Sequence, residues 1–347
     1  MTDIGFPIET ILIFYGVVAL SVYVDLVAHR RSSEITPRNA AKWVVFWVCL
    51  ALGFYAYLYN RFSPEAANLY LAGYALEQTL SIDNLMVFMA IFASFGISGA
   101  LQHRILYWGI AGAIVFRAIF VLVGTGLYEA SPYVGFGFAA FVAWTGVKML
   151  QSGTEERQIS DYANHWSVKL MGRLFPVYTR LHGDALFVRP SAVSGEGGLA
   201  THRGPLYATP AFLCLVAIET SDVAFAFDSV PAVIAVTHEP LLVYAAMIFA
   251  ILGLRSLYFV LAALTRYLVH LEKAVIALLF FIAGKMALTS WHHAVGPTGL
   301  HISPTMSLAI VLGTLAVGVL ASLIAPRNGA ANAALAPTDD DRVRKDA

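Results

Sequence analysis

Residues 66–95 read AANLYLAGYALEQTLSIDNLMVFMAIFASF, an apolar run long enough to cross a bilayer that nevertheless carries Glu77 and Asp83. A second run, 206–236, contains Glu219-Thr220-Ser221-Asp222-Val223-Ala224-Phe225-Ala226-Phe227-Asp228-Ser229-Val230-Pro231. A carboxylate at the bilayer centre costs about 2.5–3.5 kcal/mol on insertion scales. An ionisable residue at that depth therefore marks function by default. Five acids on two spans point to a site for a cation.

Working outward, the 347-residue chain is 59% hydrophobic and 13% charged, with a formal net charge of zero and mean hydropathy +0.70. Soluble domains carry about 25% charged residues, so this composition belongs to a polytopic membrane protein. Zero net charge argues against a nucleic-acid partner. Cys49 and Cys214 both fall in apolar runs and read as small buried hydrophobes. Asp3 and Glu9 flank the first apolar run in place of a basic signal-peptide start, so that run is expected to be retained.

Nine apolar stretches reach across a core of about 30 Å, near 9–28, 41–59, 66–95, 103–127, 131–150, 206–236, 240–263, 270–289 and 304–324. The fold expected is all-α, with about nine transmembrane helices. Basic residues collect in alternate connections, at Arg30, Arg31, Arg38 and Lys42, then Arg104, then six between Arg157 and Arg203, then Arg266, Lys273 and the tail. The opposite loops offer only Arg61 beside Glu129, His238, Glu239, His292 and His293. The positive-inside rule then puts the N-terminus outside and the C-terminus in the cytoplasm. The three outward histidines, with His301, read as solvated bystanders.

The chain also repeats. Asp83, Arg117 and Lys148 are followed 139, 138 and 137 residues later by Asp222, Arg255 and Lys285. Phe116-Arg117-Ala118-Ile119-Phe120 resembles Leu254-Arg255-Ser256-Leu257-Tyr258-Phe259, and Gly146-Val147-Lys148-Met149 resembles Gly284-Lys285-Met286. Three spans per copy make this an inverted three-plus-three helix repeat, an architecture that holds substrate at the midplane. The organisation expected is two N-terminal transmembrane helices (1–60), a first repeat (61–150), a cytoplasmic connection (151–205), a second repeat (206–290), a ninth transmembrane helix (291–325) and a disordered cytoplasmic tail (326–347). Within the connection, residues 165–175 mix aromatic, aliphatic and basic side chains and read as an interfacial segment.

At 1.5 Å per residue, Glu77 and Asp83 lie about 16 and 26 Å along their span, and Glu219, Asp222 and Asp228 about 20, 24 and 33 Å along theirs. Entering from opposite sides, the two sets meet around mid-membrane. Pro231 predicts a helix break near Asp228-Ser229 that would turn that acid toward its neighbours. Asn84 and Ser229 add neutral oxygens, giving Glu77, Asp83, Asn84, Glu219, Asp222, Asp228 and Ser229 as candidate metal ligands. The donor set is hard and suits Mg²⁺, Ca²⁺ or Mn²⁺. Met86 is an additional candidate ligand whose thioether would favour Mn²⁺, although methionine also fills gaps in packing. Arg117 and Arg255, near the middle of their spans, are candidate counter-charges for the acids; a static buried ion pair is the other reading. Lys148 and Lys285 read as snorkelling side chains. No phosphate-binding loop, cofactor fingerprint or catalytic Ser/Cys-His arrangement stands out, so neither an enzyme nor a resident cofactor is expected.

Glu77-x-x-Leu80-Ser81-x-Asp83-Asn84 and Glu219-x-x-Asp222-x-x-Phe225-Ala226-x-Asp228-Ser229-x-Pro231-Ala232 resemble the two signature segments of the TerC family. Trp108-Gly109, Arg117 and Phe249-Ala250-Ile251-Leu252-Gly253-Leu254-Arg255-Ser256 extend the likeness over roughly residues 10–325. The chain departs from the family at Ala246 and Met247, where an Asn is frequent. The family is named for tellurium resistance, and its Alx-type members are implicated in manganese export. The resemblance implies a multi-pass protein of a bacterial inner membrane that exports Mn²⁺, with protons as the exchanging ion. The partners implied are the lipid bilayer, the divalent ion and protons; the residues name no protein partner. Two further readings stand beside it: a scaffold or sensor of a metal or tellurite stress-resistance complex, and a carrier of Ca²⁺ or another divalent cation.

Overall fold

The structure, a computed structural model, describes residues 6–28, 37–151, 166–178, 181, 183, 185–189, 206–237, 239–264, 271–296 and 302–324. Within these, the side chains of residues 25–28, 37, 83, 100, 129, 132, 228, 264, 271, 272 and 323 are not described. The tail expected over 326–347 lies outside the described residues.

Prolines and their preceding hydroxyls set the helix starts. Six helices begin at proline: α2 (Pro37–Arg61), α3 (Pro64–Ser94), α5 (Pro132–Gln151), α7 (Pro210–Thr237), α8 (Pro240–Leu252) and α11 (Pro304–Ile324). Proline suits the first helical turn because its missing N–H has no partner there anyway. The Ser63 hydroxyl accepts from the Ala66 N–H at 3.1 Å, Ser303 from Met306 at 3.2 Å and Thr209 from Phe212 at 3.4 Å. The remaining helices are α1 (Ile8–Ala28), α4 (Ala100–Ala130), α6 (Trp166–Leu174), α9 (Leu254–Leu264) and α10 (Leu271–Ala294). Helix α3 stops in a left-handed turn at Gly96, φ +62°, with Ile97 N–H bonded to the Phe92 carbonyl and Gly96 N–H to that of Ala93. A short antiparallel pair, β1 (Phe187–Val188) and β2 (Tyr207–Ala208), ties the connection to the start of α7.

The protein is an all-α polytopic membrane protein. Helices α2–α5, α7, α10 and α11 are long and apolar enough to cross a membrane, and α8 with α9 makes an eighth span if its arms count as one. The apolar part of α1, Ile8–Val24, is shorter. Exposed Leu12, Leu122, Trp144, Val317 and Ile324 line the perimeter as a lipid-facing surface requires.

One expectation is corrected. Helix α7 runs unbroken through Asp228, Ser229 and Pro231, and the break lies instead at Gly253, where α8 and α9 meet at 50°. A break frees backbone polar groups, which hydrocarbon cannot satisfy; it is tolerated only where protein buries it. Ala250 through Ser256 are all buried. Pro231 sits in an α7 that stays helical from Pro210 to Thr237, although residues 229–237 are equally buried. Gly253 lies against Trp47 of α2, where an added Cβ would meet that of Trp47 at ordinary contact distance.

Helix α3 is central, packing on α2, α7, α8, α9 and α11; α4 packs on α7 and α8, and α5 on α10. Two apolar clusters fill the interior. The first takes Ala66 to Leu80 of α3, Ala226 to Val236 of α7 and most of α8, with Trp47, Phe54 and Phe249. The second takes Leu85 to Phe92 of α3, Ala211 to Ile218 of α7, Ile105 and Leu106 of α4, and Leu254, Tyr258 and Leu261 of α9. Helices α3 and α7 therefore run antiparallel between the clusters. Their acid-bearing segments fall at the junction.

Candidate cation site

At that junction Glu77, Ser81 and Asn84 are spaced i, i+4, i+7, which puts them on one face of α3. Asp222 and Ser229, seven apart on α7, share a face in the same way. All five are buried. Arg117 of α4, 1% exposed, joins the two helices. Its Nη1 donates to Glu77 Oε1 and its Nη2 to Asp222 Oδ1 at 3.2 Å. A guanidinium presents its donors in a fixed fork, so one side chain can hold a carboxylate on each of two helices.

Glu219 lies one helical turn before Asp222, and its carboxylate rests against Gly112 of α4. A Cβ at residue 112 would overlap the carboxylate oxygens, so glycine there lets this acid rest against α4 in the position it takes. A Cβ at Gly109, one turn earlier, would meet Ile218 at 3.4 Å. Small residues bring membrane helices close in this way.

The layer is incompletely satisfied. Among the described residues, Glu77 Oε2, Gln78 Oε1, Ser81 Oγ, Glu219 Oε2, Asp222 Oδ2 and Ser229 Oγ are buried without a hydrogen-bond partner. Buried polar atoms are ordinarily paired. Unpaired carboxylate, amide and hydroxyl oxygens are the hard donors a dehydrated divalent cation takes. Among the described residues no three His, Cys, Asp or Glu side chains form a ready metal cluster; two of the acids instead hold Arg117.

The structure thus brings Glu77 and Asp222 together on Arg117, with Glu219 one turn away on α7; Asn84 and Ser229 are buried but lie on opposite sides of that level, two turns along antiparallel helices. Asp83 and Asp228 sit on the helical backbones of α3 and α7, with side chains outside the description. Met86 is 38% exposed and does not join the buried layer. Arg255 is buried in the first turn of α9, immediately beyond the break. Lys148 is exposed and lies 5.4 Å from the Trp144 ring centroid. Lys285 corrects the snorkelling expectation: it is 6% exposed and its Nζ donates to the Val236 carbonyl at 3.3 Å. That carbonyl belongs to the last turn of α7, where the helix provides no partner of its own. Gly112, Ser81 and Gln78 were not among the sequence candidates; the i+4 spacing of Ser81 from Glu77 was the available signal.

Residues 62–330 match the family described as "Integral membrane protein TerC family". The chain belongs to the TerC family. It is 50% identical over 338 residues to the tellurium resistance protein TerC of Serratia marcescens, covering 94% of this chain and 96% of that one. The protein of the same name from Alcaligenes sp is 49% identical over equal shares. The putative membrane-bound redox modulator Alx of Escherichia coli (strain K12) is 34% identical over 312 residues, 87% of this chain and 90% of its own. No solved structure matches. The TerC signature segments are the stretches of α3 and α7 that form the polar layer.

Proposed function

We propose that this TerC-family protein is a secondary transporter that exports a divalent cation, foremost Mn²⁺, through the layer between the two apolar clusters. The carrying observation is the set of buried, unpartnered oxygens on α3 and α7 around Arg117. They are too many for a static ion pair and of the hard type that Mn²⁺ accepts. Carboxylates withdrawn from water can take protons when the cation leaves, so proton exchange is the natural coupling. The family resemblance, through Alx-type members implicated in manganese export, implies manganese as the cargo. The reading includes nine spans, an inverted repeat, and placement in a bacterial inner membrane with the N-terminus outside, which the basic-residue bias supports.

The test replaces Asp83, Asp222 and Asp228 by Asn, one at a time. Each variant is expected to insert normally and to lose protection of cells against high Mn²⁺. Full protection by all three would move the carrier site elsewhere. A second reading, a membrane scaffold or sensor, draws on the Arg117 bridge, which a purely structural network would also contain. It differs in expecting cellular metal content to be the same with and without the protein.

A further inference from the structure

We infer that α6 is a docking surface for anionic phospholipid headgroups at the end of the bilayer where α7 begins. The inference is independent of the transport reading. Helix α6 reads Trp166-Ser167-Val168-Lys169-Leu170-Met171-Gly172-Arg173-Leu174. Ser167 and Val168 are buried, and Val168 and Met171 pack into the cluster around the first turns of α7. Beyond the helix, Phe175 and Phe187 meet Phe212 of α7 at ring distances of 6.0 and 4.4 Å. The unit is therefore fixed to the rim of a membrane-spanning helix, at the level where lipid headgroups lie.

Its other face is built for that level. Trp166, Leu170 and Leu174, four residues apart, are 63%, 44% and 63% exposed, and they form one stripe. Lys169 and Arg173, both exposed and also four apart, run alongside the stripe on the side away from the buried face. Arg189 after β1 is exposed as well. No acidic residue occurs among the described residues of this unit. A stripe of Trp and Leu left in water would be unfavourable, whereas at the interface the apolar stripe enters the acyl boundary and the basic row meets headgroups. The row of Lys169 and Arg173 beside the exposed stripe makes an anionic headgroup the complementary occupant. Basic side chains at a membrane surface favour anionic lipid by on the order of fivefold each, and salt weakens the effect. Because α6 packs on the N-terminal turns of α7, bound lipid also braces the helix that carries Glu219 and Asp222.

The full-length chain, with Cys49 and Cys214 replaced by alanine and Leu174→Cys carrying an environment-sensitive fluorophore, is placed in phosphatidylcholine nanodiscs containing brominated lipid. Acyl-brominated phosphatidylglycerol should quench the probe more strongly than brominated phosphatidylcholine at equal mole fraction. That preference should collapse toward unity in Lys169→Gln/Arg173→Gln, while quenching by total brominated lipid persists. Both substituted side chains are exposed, so the variant keeps its fold. Absence of quenching by either lipid would place α6 in water or against a protein, and equal quenching before and after substitution would leave no role for the headgroup charge. Either result overturns the inference.

Discussion

Replacing Arg117 by Met removes the guanidinium but keeps most of the aliphatic stem. Arg117 is 1% exposed, Glu77 fully buried and Asp222 3% exposed, so water cannot take over the lost contacts. Two hydrogen bonds to charged groups disappear, each contributing about 1.5–3 kcal/mol. Breaking a buried ion pair by removing one partner costs about 3–5 kcal/mol, and the two figures agree. In the triple variant Glu77→Gln/Arg117→Met/Asp222→Asn, all three charges are gone. Buried ion networks replaced whole by neutral side chains of similar volume are often neutral in stability or better. The expected pattern is strong non-additivity, with Arg117→Met losing about 3–5 kcal/mol and the triple variant recovering most of it. Thermal unfolding of the purified protein in detergent, followed by tryptophan fluorescence, measures this as a Tm drop on the order of 10 °C and its reversal. If Arg117→Met melts with the wild type, or if the triple variant is no more stable than the single, Arg117 is not the tie between α3 and α7.

Two further outcomes follow from the packing and the charge pattern. Gly112→Ala forces a Cβ onto the Glu219 carboxylate and should destabilise the protein by about 1–3 kcal/mol, while Glu219→Ala in the same chain should relieve it; simple additivity of the two substitutions in Tm would show that the residues do not compete for space. In a chain lacking Cys49 and Cys214, cysteines at Ser194 and Ala347 should react with an impermeant reagent only after the cells are opened, and one at Ser131 should react in intact cells. Labelling of residue 194 from outside would reverse the orientation drawn from the basic residues.

The apolar stretches were legible because hydropathy acts locally: all of them are helical for most of their length, although 240–263 is divided between α8 and α9 and, among the described residues, seven to eight helices reach membrane-crossing length. The acids of the site were legible for a similar reason: a carboxylate in an apolar run is conspicuous whatever surrounds it. What surrounds it was not. Arg117 lies 40 residues from Glu77 and 105 from Asp222, and nothing local indicates that one guanidinium reaches both. The helix break was misplaced because Pro231 is the stronger local signal. The bend at Gly253 is packed among neighbouring helices, which no single stretch reveals. Lys285 illustrates the same limit: a lysine near a span end snorkels unless, as here, another helix offers it a carbonyl.

The helix starts also revise how the two halves correspond. The 139-residue spacing sets Asp83 against Asp222. Measured from the prolines that open α3 and α7, Glu77 lies 13 residues in and Asp222 12 residues in, while Asp83 and Asp228 lie 19 and 18 in. Glu77 then answers to Asp222, Asp83 to Asp228, and Asn84 to Ser229. Because α3 and α7 run antiparallel, only residues near the middle of both reach the same depth; Glu77 and Asp222 do, and they are the two acids Arg117 bonds, whereas Asp83 and Asp228 lie on opposite sides of that level. An arginine holding matched carboxylates of both helices occupies the position a cation between them would take. A dication reaching Glu77 and Asp222 must therefore displace Arg117 or bind the oxygens it leaves open, Oε2 of Glu77 and Oδ2 of Asp222. Arg255 has no such straight helix behind it, since α8 ends three residues earlier and Arg255 is the second residue of the bent arm α9. The two arginines share a sequence context, but only Arg117 is carried mid-helix on an element that packs along α7. That difference makes Arg117 the residue whose removal should change the site most.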